Sequence, residues 1–118
     1  MIPAAFTYHR AASVDDAIEA LGQDEDAKVL AGGHSLIPAL KLRIARPSVL
    51  VDVGRLDDLR YVRDDGDRIA IGALSRHSGL VADAVLRRDC PVVARTAALV
   101  GDPQVRHRGT IGGSVAHA

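Results

Sequence analysis

The sequence is poor in aromatic residues and in cysteine. Its 118 residues include one phenylalanine, two tyrosines and no tryptophan. A planar cofactor ring bound by this chain would therefore have to contact aliphatic side chains, backbone or other chains. The single cysteine, Cys90, excludes an internal disulfide and a cysteine-ligated iron–sulfur cluster within the chain.

An excess of charge and a long apolar run are also lacking. Fifteen basic and fifteen acidic residues give a formal net charge of zero, which argues against a mainly electrostatic nucleic-acid binder. No stretch is long and apolar enough for a membrane span, and no signal peptide opens the chain, so we expect a cytoplasmic protein. The five histidines show neither HxH nor HExxH spacing, and we expect no metal site.

The composition, 47% apolar and 25% charged, is that of an ordinary globular domain. Hydrophobic spacing and turn residues predict a mixed α+β chain without a regular βαβ alternation. A first helix is predicted from Val14 to Leu21, with Ser13 as its cap and Gly22 directly after it. A strand over 28–31, a helix from Leu36 to about Ile44 capped by Ser35, and a strand over 49–53 follow. The rest of the chain is predicted to form a hairpin of 59–63 and 68–73, helices over 76–81, 83–88 and 91–100, and a polar loop over 102–109.

Two pairs of glycines stand beside small hydroxyl residues. The first pair, Gly32-Gly33, follows a predicted strand and precedes Ser35 at a predicted helix start. Backbone without side chains can approach a ligand closely, and the amides at a helix start attract anions. A phosphate cradle and a tight turn both fit this pattern, whereas the spacing excludes a Walker A loop and a dinucleotide fingerprint. His34 lies inside this segment, either facing a ligand or solvated.

The second pair, Gly112-Gly113, lies between Thr110 and Ser114. Hydroxyls and free amides would occur together here, although a bulge or a simple turn is the alternative. Arg106 and Arg108 flank the segment and face either phosphate or solvent. Taken together, the two glycine pairs suggest a diphosphate that is held from two sides.

Several separated motifs together resemble the FAD-binding subunits of molybdenum hydroxylases, in particular the medium subunits of aerobic carbon monoxide dehydrogenases. The motifs follow one another in the family's order and cover the whole chain. They are Ile2-Pro3, Phe6, Tyr8-His9-Arg10, the segment from Ala31 to Pro38 with Leu40-Lys41, the segment from Gly101 to Arg106, and the segment from Gly109 to Ser114.

The resemblance implies a PCMH-type (vanillyl-alcohol-oxidase-like) FAD-binding domain. Family members are more than twice as long, so we expect this chain to correspond to the N-terminal part of such a domain. Residues 1 to about 54 would form a first α/β lobe, and residues 55–118 would begin a second lobe. The resemblance also implies FAD contacts at Leu30, Ala31, Gly32, Gly33, His34, Ser35, Leu36, Ile37, Val100, Thr110, Ile111, Gly112, Gly113 and Ser114.

The function implied by the resemblance is electron transfer through FAD, with no catalytic residue and no metal on this chain. Electrons would come from two [2Fe–2S] clusters on a small subunit, which draw them from a molybdenum–pterin centre on a large subunit. NAD, a quinone or oxygen would accept them, and peripheral contact of the complex with a membrane stays open. The alternatives are a truncated, flavin-free subunit-interaction module and another enzyme on the same fold, such as a cell-wall-sugar reductase.

Overall fold

The computed structural model describes residues 1–117, and its backbone divides into two compact units. The first unit is Met1–Leu56, and the second begins at Asp57. The elements of the first unit are β1 (Thr7–Arg10), α1 (Val14–Gly22), β2 (Lys28–Leu30), α2 (Leu36–Lys41) and β3 (Val49–Asp52).

The three strands of the first unit form a parallel sheet in the order β1-β3-β2. Strand β3 lies in the centre, where Leu50 is paired with Tyr8 on one side and with Lys28 on the other. A central parallel strand is covered on both faces, which explains its continuous apolar run and the burial of Leu50 and Val51.

Helix α1 begins at the predicted cap. The Ser13 hydroxyl accepts a hydrogen bond from the Asp16 N–H at 3.0 Å, and the Asp16 carboxylate accepts one from the Ala12 N–H at 2.8 Å. This is a variant of the capping box. The Asp16 carboxylate also lies 3.1 Å from His9 Nε2, which ties α1 to β1. The Ala12 N–H and then His9 hold the pKa of Asp16 below its ordinary value.

The ends of α1 and α2 differ from the predictions. Gly22 is the last helical residue rather than the residue after the helix, and Gln23 follows with a φ of −81°. Helix α2 ends at Lys41 instead of about Ile44. Arg43 adopts a φ of +55°, and this left-handed residue turns the chain out of the helix.

The second unit contains a hairpin and a group of short helices. A 3₁₀ turn (Asp57–Leu59) precedes the antiparallel pair of strands that the sequence predicts. Buried Leu80, Leu86, Ala94 and Ala97 form the core, and hairpin residues such as Ile71 pack against it. The elements are β4 (Val62–Asp64), β5 (Ile69–Ile71), α3 (His77–Ala82), α4 (Ala84–Asp89), α5 (Pro91–Ala98), α6 (Pro103–Arg108) and α7 (Ile111–His117).

Besides the 3₁₀ turn, three elements are not predicted from the sequence: β1, α6 and α7. The predicted polar loop contains α6, because the Asp102 carboxylate accepts from the Val105 N–H at 3.0 Å and Pro103 occupies the first turn. The predicted glycine turn is the first turn of α7. With β1 included, residues 7–52 do alternate strand and helix. The α+β class is nevertheless confirmed, since the antiparallel hairpin forms a separate sheet.

Gly72 supplies a test of the second unit's packing. A Cβ at Gly72 would lie 2.2 Å from the Leu59 carbonyl oxygen, which is backbone and does not move aside easily. We expect Gly72→Ala to lower the free energy of unfolding by about 2 kcal/mol or more. The control is Gly79→Ala in α3, where a Cβ meets nothing within 4 Å, and it should raise the same free energy by roughly 0.5–1 kcal/mol. Urea denaturation measures both, and wild-type stability of Gly72→Ala would contradict the packing described.

Candidate functional site

The first glycine segment, residues 30–37, connects β2 to α2. Gly33 is buried and has a φ of +79°, in the left-handed region that favours glycine. A Cβ at Gly33 would lie 2.8 Å from Ile37 Cδ1 and 3.2 Å from Leu30 Cδ1. Both atoms are the ends of flexible side chains, so the backbone angle, more than space, requires glycine at this position.

Three successive amides of this segment have no acceptor among the residues that the structure describes. The Ile37 N–H donates to the Gly33 carbonyl oxygen at 2.9 Å and closes the turn before α2. Within residues 1–117, the N–H groups of Gly33, His34 and Ser35 donate to no acceptor, and His34 and Ser35 are exposed. Unpaired amides on consecutive residues are an arrangement that an anionic group can occupy.

The hydroxyl of Ser35 does not cap α2 as predicted. Ser35 itself has helical dihedral angles, φ −93° and ψ −39°, and its side chain makes no capping hydrogen bond. A capping residue has an extended backbone, so the turn that begins at Gly33 removes the geometry that capping needs. His34 is exposed, which is compatible both with contact to a ligand and with simple solvation.

The second glycine segment, residues 109–114, is bonded to the chain that precedes α3. The Ile111 N–H donates to the Ser75 carbonyl at 3.0 Å, and the Gly112 N–H donates to the Ala73 carbonyl at 2.8 Å. Within the segment, the Gly113 N–H donates to Thr110 Oγ1 at 3.1 Å and the Ser114 N–H to the Thr110 carbonyl at 3.1 Å. The prediction of free amides is therefore wrong for these four residues.

Gly112 is required by this internal contact. A Cβ at Gly112 would lie 2.7 Å from both Cβ and the carbonyl oxygen of Ala73. A side chain would therefore separate α7 from the turn at residues 72–75. Of the two hydroxyl side chains of the segment, Ser114 is exposed and Thr110 is buried.

His77, which the sequence did not single out, contacts the second glycine segment through both its side chain and its backbone. His77 is only 5% exposed, its Nε2 lies 3.0 Å from Ser114 Oγ, and its backbone N–H donates to the Gly109 carbonyl at 3.1 Å. Burial lowers the pKa of His77 below its ordinary value and favours the neutral ring. No spacing in the sequence links His77 to Ser114, which lies 37 residues away.

Arg106 binds backbone at the end of α5. One guanidinium nitrogen, Nη1, lies 3.2 Å from the carbonyl oxygens of Ala98 and Val100 and 3.3 Å from that of Gly101. A cation at a helix C-terminus satisfies carbonyls that have no partner within the helix. Arg106 is thus a helix residue that binds backbone rather than a solvated loop residue, and its Nη1 holds the Val100 carbonyl.

Within residues 1–117, no group of three or more histidine, cysteine or acidic side chains is placed to hold a metal ion. None of the helices described here is long and apolar enough to cross a membrane.

Comparison with known proteins identifies the family. Residues 4–118 match the family described as "FAD binding domain in molybdopterin dehydrogenase". The chain is 48% identical to the carbon monoxide dehydrogenase medium chain of Hydrogenophaga pseudoflava, over 99% of this chain and 41% of that protein. It is 45% identical to subunit alpha of the 6-hydroxypseudooxynicotine dehydrogenase complex of Paenarthrobacter nicotinovorans, over 100% of this chain and 40% of that protein.

Solved structures agree with this comparison. The Hydrogenophaga pseudoflava carbon monoxide dehydrogenase superposes with a TM-score of 0.95 at 47% identity, covering 99% of this chain and 41% of that chain. Quinoline 2-oxidoreductase from Pseudomonas putida 86 also superposes with a TM-score of 0.95, at 36% identity. This superposition covers 100% of this chain and 41% of that chain. The fold predicted from the resemblance is therefore confirmed.

The fold and the family match define a flavoprotein domain whose cofactor is FAD. The chain belongs to the family of FAD-binding domains in molybdopterin dehydrogenases. It spans about two fifths of the length of the relatives that it matches.

The burial of His77 predicts a pH dependence of stability. Because the folded-state pKa is lowered, the unfolded chain binds a proton first as the pH falls. The contribution of His77 is therefore complete above about pH 6.5 and is lost as the pH falls below that value toward the folded pKa. We expect the free energy of unfolding to decrease more between about pH 7.5 and about pH 5.5 in the wild type than in His77→Gln. The other four histidines are common to both proteins, and equal decreases would contradict the prediction.

Proposed function

We propose that this chain is the N-terminal part of the FAD-binding, electron-transferring subunit of a molybdenum hydroxylase of the carbon monoxide dehydrogenase type. The single observation that carries the proposal is the run of three amides, at Gly33, His34 and Ser35, that have no acceptor within residues 1–117. They lie in the segment that the family resemblance assigns to FAD. The proposal includes the assignment of residues 1 to about 54 and 55–118 to two lobes of one FAD-binding domain.

The first glycine segment fits the diphosphate of FAD. A diphosphate is anionic and offers only acceptor oxygens, and the three amides offer only donors. The positive φ of Gly33 turns the chain so that these amides follow one another before α2. We propose that residues 30–37 contact FAD, with Leu36 and the 40%-exposed Ile37 offering aliphatic surface. His34, which is exposed, orients this segment or the flavin edge and is not a general base.

The second glycine segment supplies a hydroxyl and a closely packed backbone. Its four bonded amides are not available to a ligand, so the group proposed to contact the diphosphate directly is the exposed Ser114 hydroxyl. Thr110, Ile111, Gly112 and Gly113 then hold Ser114 in place and present backbone to the ligand. Val100, which Arg106 holds through its carbonyl oxygen, is proposed to lie near the flavin ring.

The proposed role in electron transfer follows from the cofactor. FAD, when bound, accepts electrons and passes them to an external acceptor, and the protein supplies binding and orientation. The names of several relatives support this role, since they include a carbon monoxide dehydrogenase medium chain and a xanthine dehydrogenase FAD-binding subunit. We propose a small iron–sulfur subunit and a large molybdenum subunit as partners, in the cytoplasm. The substrates in the relatives' names include carbon monoxide, caffeine and xanthine, so we assign substrate choice to the molybdenum subunit.

The alternative, a subunit-interaction module without flavin, makes a different prediction for substitutions at Gly33. We expect Gly33→Val to abolish FAD retention in the assembled subunit, because valine does not adopt the left-handed φ that places the three amides. Flavin per protein after gel filtration measures the effect. The matched control is Gly22→Ala, at an exposed glycine where a Cβ meets nothing within 4 Å, and this variant should retain FAD.

Two outcomes decide between the functions. Stoichiometric FAD in folded Gly33→Val would defeat the assignment of this segment to the diphosphate. Absence of FAD from both the wild type and Gly22→Ala would instead support the flavin-free module. Circular dichroism of each variant separates loss of FAD from loss of the fold.

A further inference from the structure

We propose that His77 is a positioning residue that directs the Ser114 hydroxyl toward the FAD diphosphate. In this arrangement His77 is in its Nε2–H form and donates to Ser114 Oγ, and the Ser114 O–H is left to donate to a phosphate oxygen. The inference rests on the proposed function, because it assumes that Ser114 contacts FAD.

The geometry of His77 leaves its ring little freedom. The residue begins α3, and its backbone N–H is bonded to the Gly109 carbonyl at 3.1 Å. A Cβ at Gly109 would lie 3.1 Å from His77 Cδ2, so the ring packs directly against the backbone of the second glycine segment. With Nε2 3.0 Å from Ser114 Oγ, the residue contacts both ends of residues 109–114.

The direction of the hydrogen bond follows from counting protons. A serine hydroxyl has one proton and two lone pairs, and a phosphate oxygen in a diphosphate only accepts. If Ser114 donated its proton to His77 Nε2, no proton would remain for the ligand. The Ser114 oxygen and the phosphate oxygen, both acceptors, would then face each other. The Nε2 atom must therefore carry the hydrogen. Since burial favours the neutral ring, Nδ1 is then unprotonated.

The Ser114 hydroxyl is the hydrogen-bonding group of this segment whose orientation is not fixed by the backbone. The amides of residues 111–114 already have acceptors, and Thr110 Oγ1 is buried and accepts from the Gly113 N–H. The Ser114 hydroxyl is exposed and has His77 as its hydrogen-bond partner. Orientation by His77 would lower the cost of ordering the hydroxyl when the ligand binds.

Nitrogen NMR of the ring tests the protonation state in the wild-type protein. In the assembled complex with ¹⁵N-labelled histidine and FAD bound, we expect His77 to show a protonated Nε2 and an unprotonated Nδ1 near neutral pH. The His77→Gln and His77→Leu variants assign the signal by its absence. An unprotonated Nε2 with FAD bound would overturn the proposal, and the protonation state itself is read in the wild-type protein.

A double-mutant cycle on FAD affinity tests the coupling. FAD is titrated into the complex from which flavin has been removed. We expect Ser114→Ala and His77→Leu each to weaken binding by about tenfold or more, as for a lost hydrogen bond to a charged group. His77→Gln, whose amide can still donate, should stay within about threefold of the wild type. The control is His107→Leu, at an exposed histidine of α6, which should bind FAD as the wild type does.

The outcomes separate this inference from the proposed function. If His77→Leu causes no further loss in the Ser114→Ala background, His77 acts through Ser114 as proposed. If the two losses add, His77 supports the fold in general, and the positioning role is wrong while the FAD site stands. If Ser114→Ala binds FAD as tightly as the wild type, Ser114 is not a diphosphate contact, and both this inference and that part of the proposed function are wrong.

Discussion

The second unit depends on the backbone contact between residues 73–77 and the second glycine segment. Carbonyls of Ala73 and Ser75 accept from Gly112 and Ile111, and the His77 N–H donates back to the Gly109 carbonyl. These bonds need the two backbones close together, and the missing Cβ of Gly112 makes that approach sterically feasible. The contact fixes where α7 starts, and it leaves a side-chain hydroxyl, rather than amides, as the surface donor of the segment.

The two glycine pairs look alike in the sequence but meet different physical requirements. At Gly33 the requirement is a left-handed backbone angle, and the amides of residues 33–35 have no acceptor in the described part of the chain. At Gly112 the requirement is close packing, and the amides are already bonded within the protein. A ligand would therefore meet main-chain donors at the first segment and a side-chain donor at the second. A single function for a Gly-Gly motif does not follow from the motif alone.

Much of the fold could be predicted from local signals. Ser13 marks the start of α1, and the Asp64–Asp67 turn marks the hairpin, because capping and turn chemistry act over a few residues. The family could be identified from motifs spread over the chain. Strand β1 was missed because Thr7–Arg10 is a short and largely exposed edge strand without an apolar pattern. Helices α6 and α7 were missed because charge clusters and glycine pairs are more typical of loops than of helices.

The parts of the site that escaped prediction are long-range contacts. The bond between His77 and Ser114 and the acceptors of the Ile111 and Gly112 amides depend on packing between residues far apart in sequence. No periodicity or spacing encodes them. The same holds for Arg106, whose three carbonyl contacts depend on the way α6 follows the end of α5.

Hydrogen exchange resolved to single residues, with and without FAD, tests the central claim most directly. That claim is that FAD meets free amides at the first glycine segment and amides already bonded at the second. The account predicts that the amides of Gly33, His34 and Ser35 exchange rapidly without FAD and about tenfold or more slowly with it. It also predicts that Ile111 and Gly112 exchange slowly in both states. Exchange at residues 33–35 that is equally rapid in the FAD-loaded subunit would contradict it.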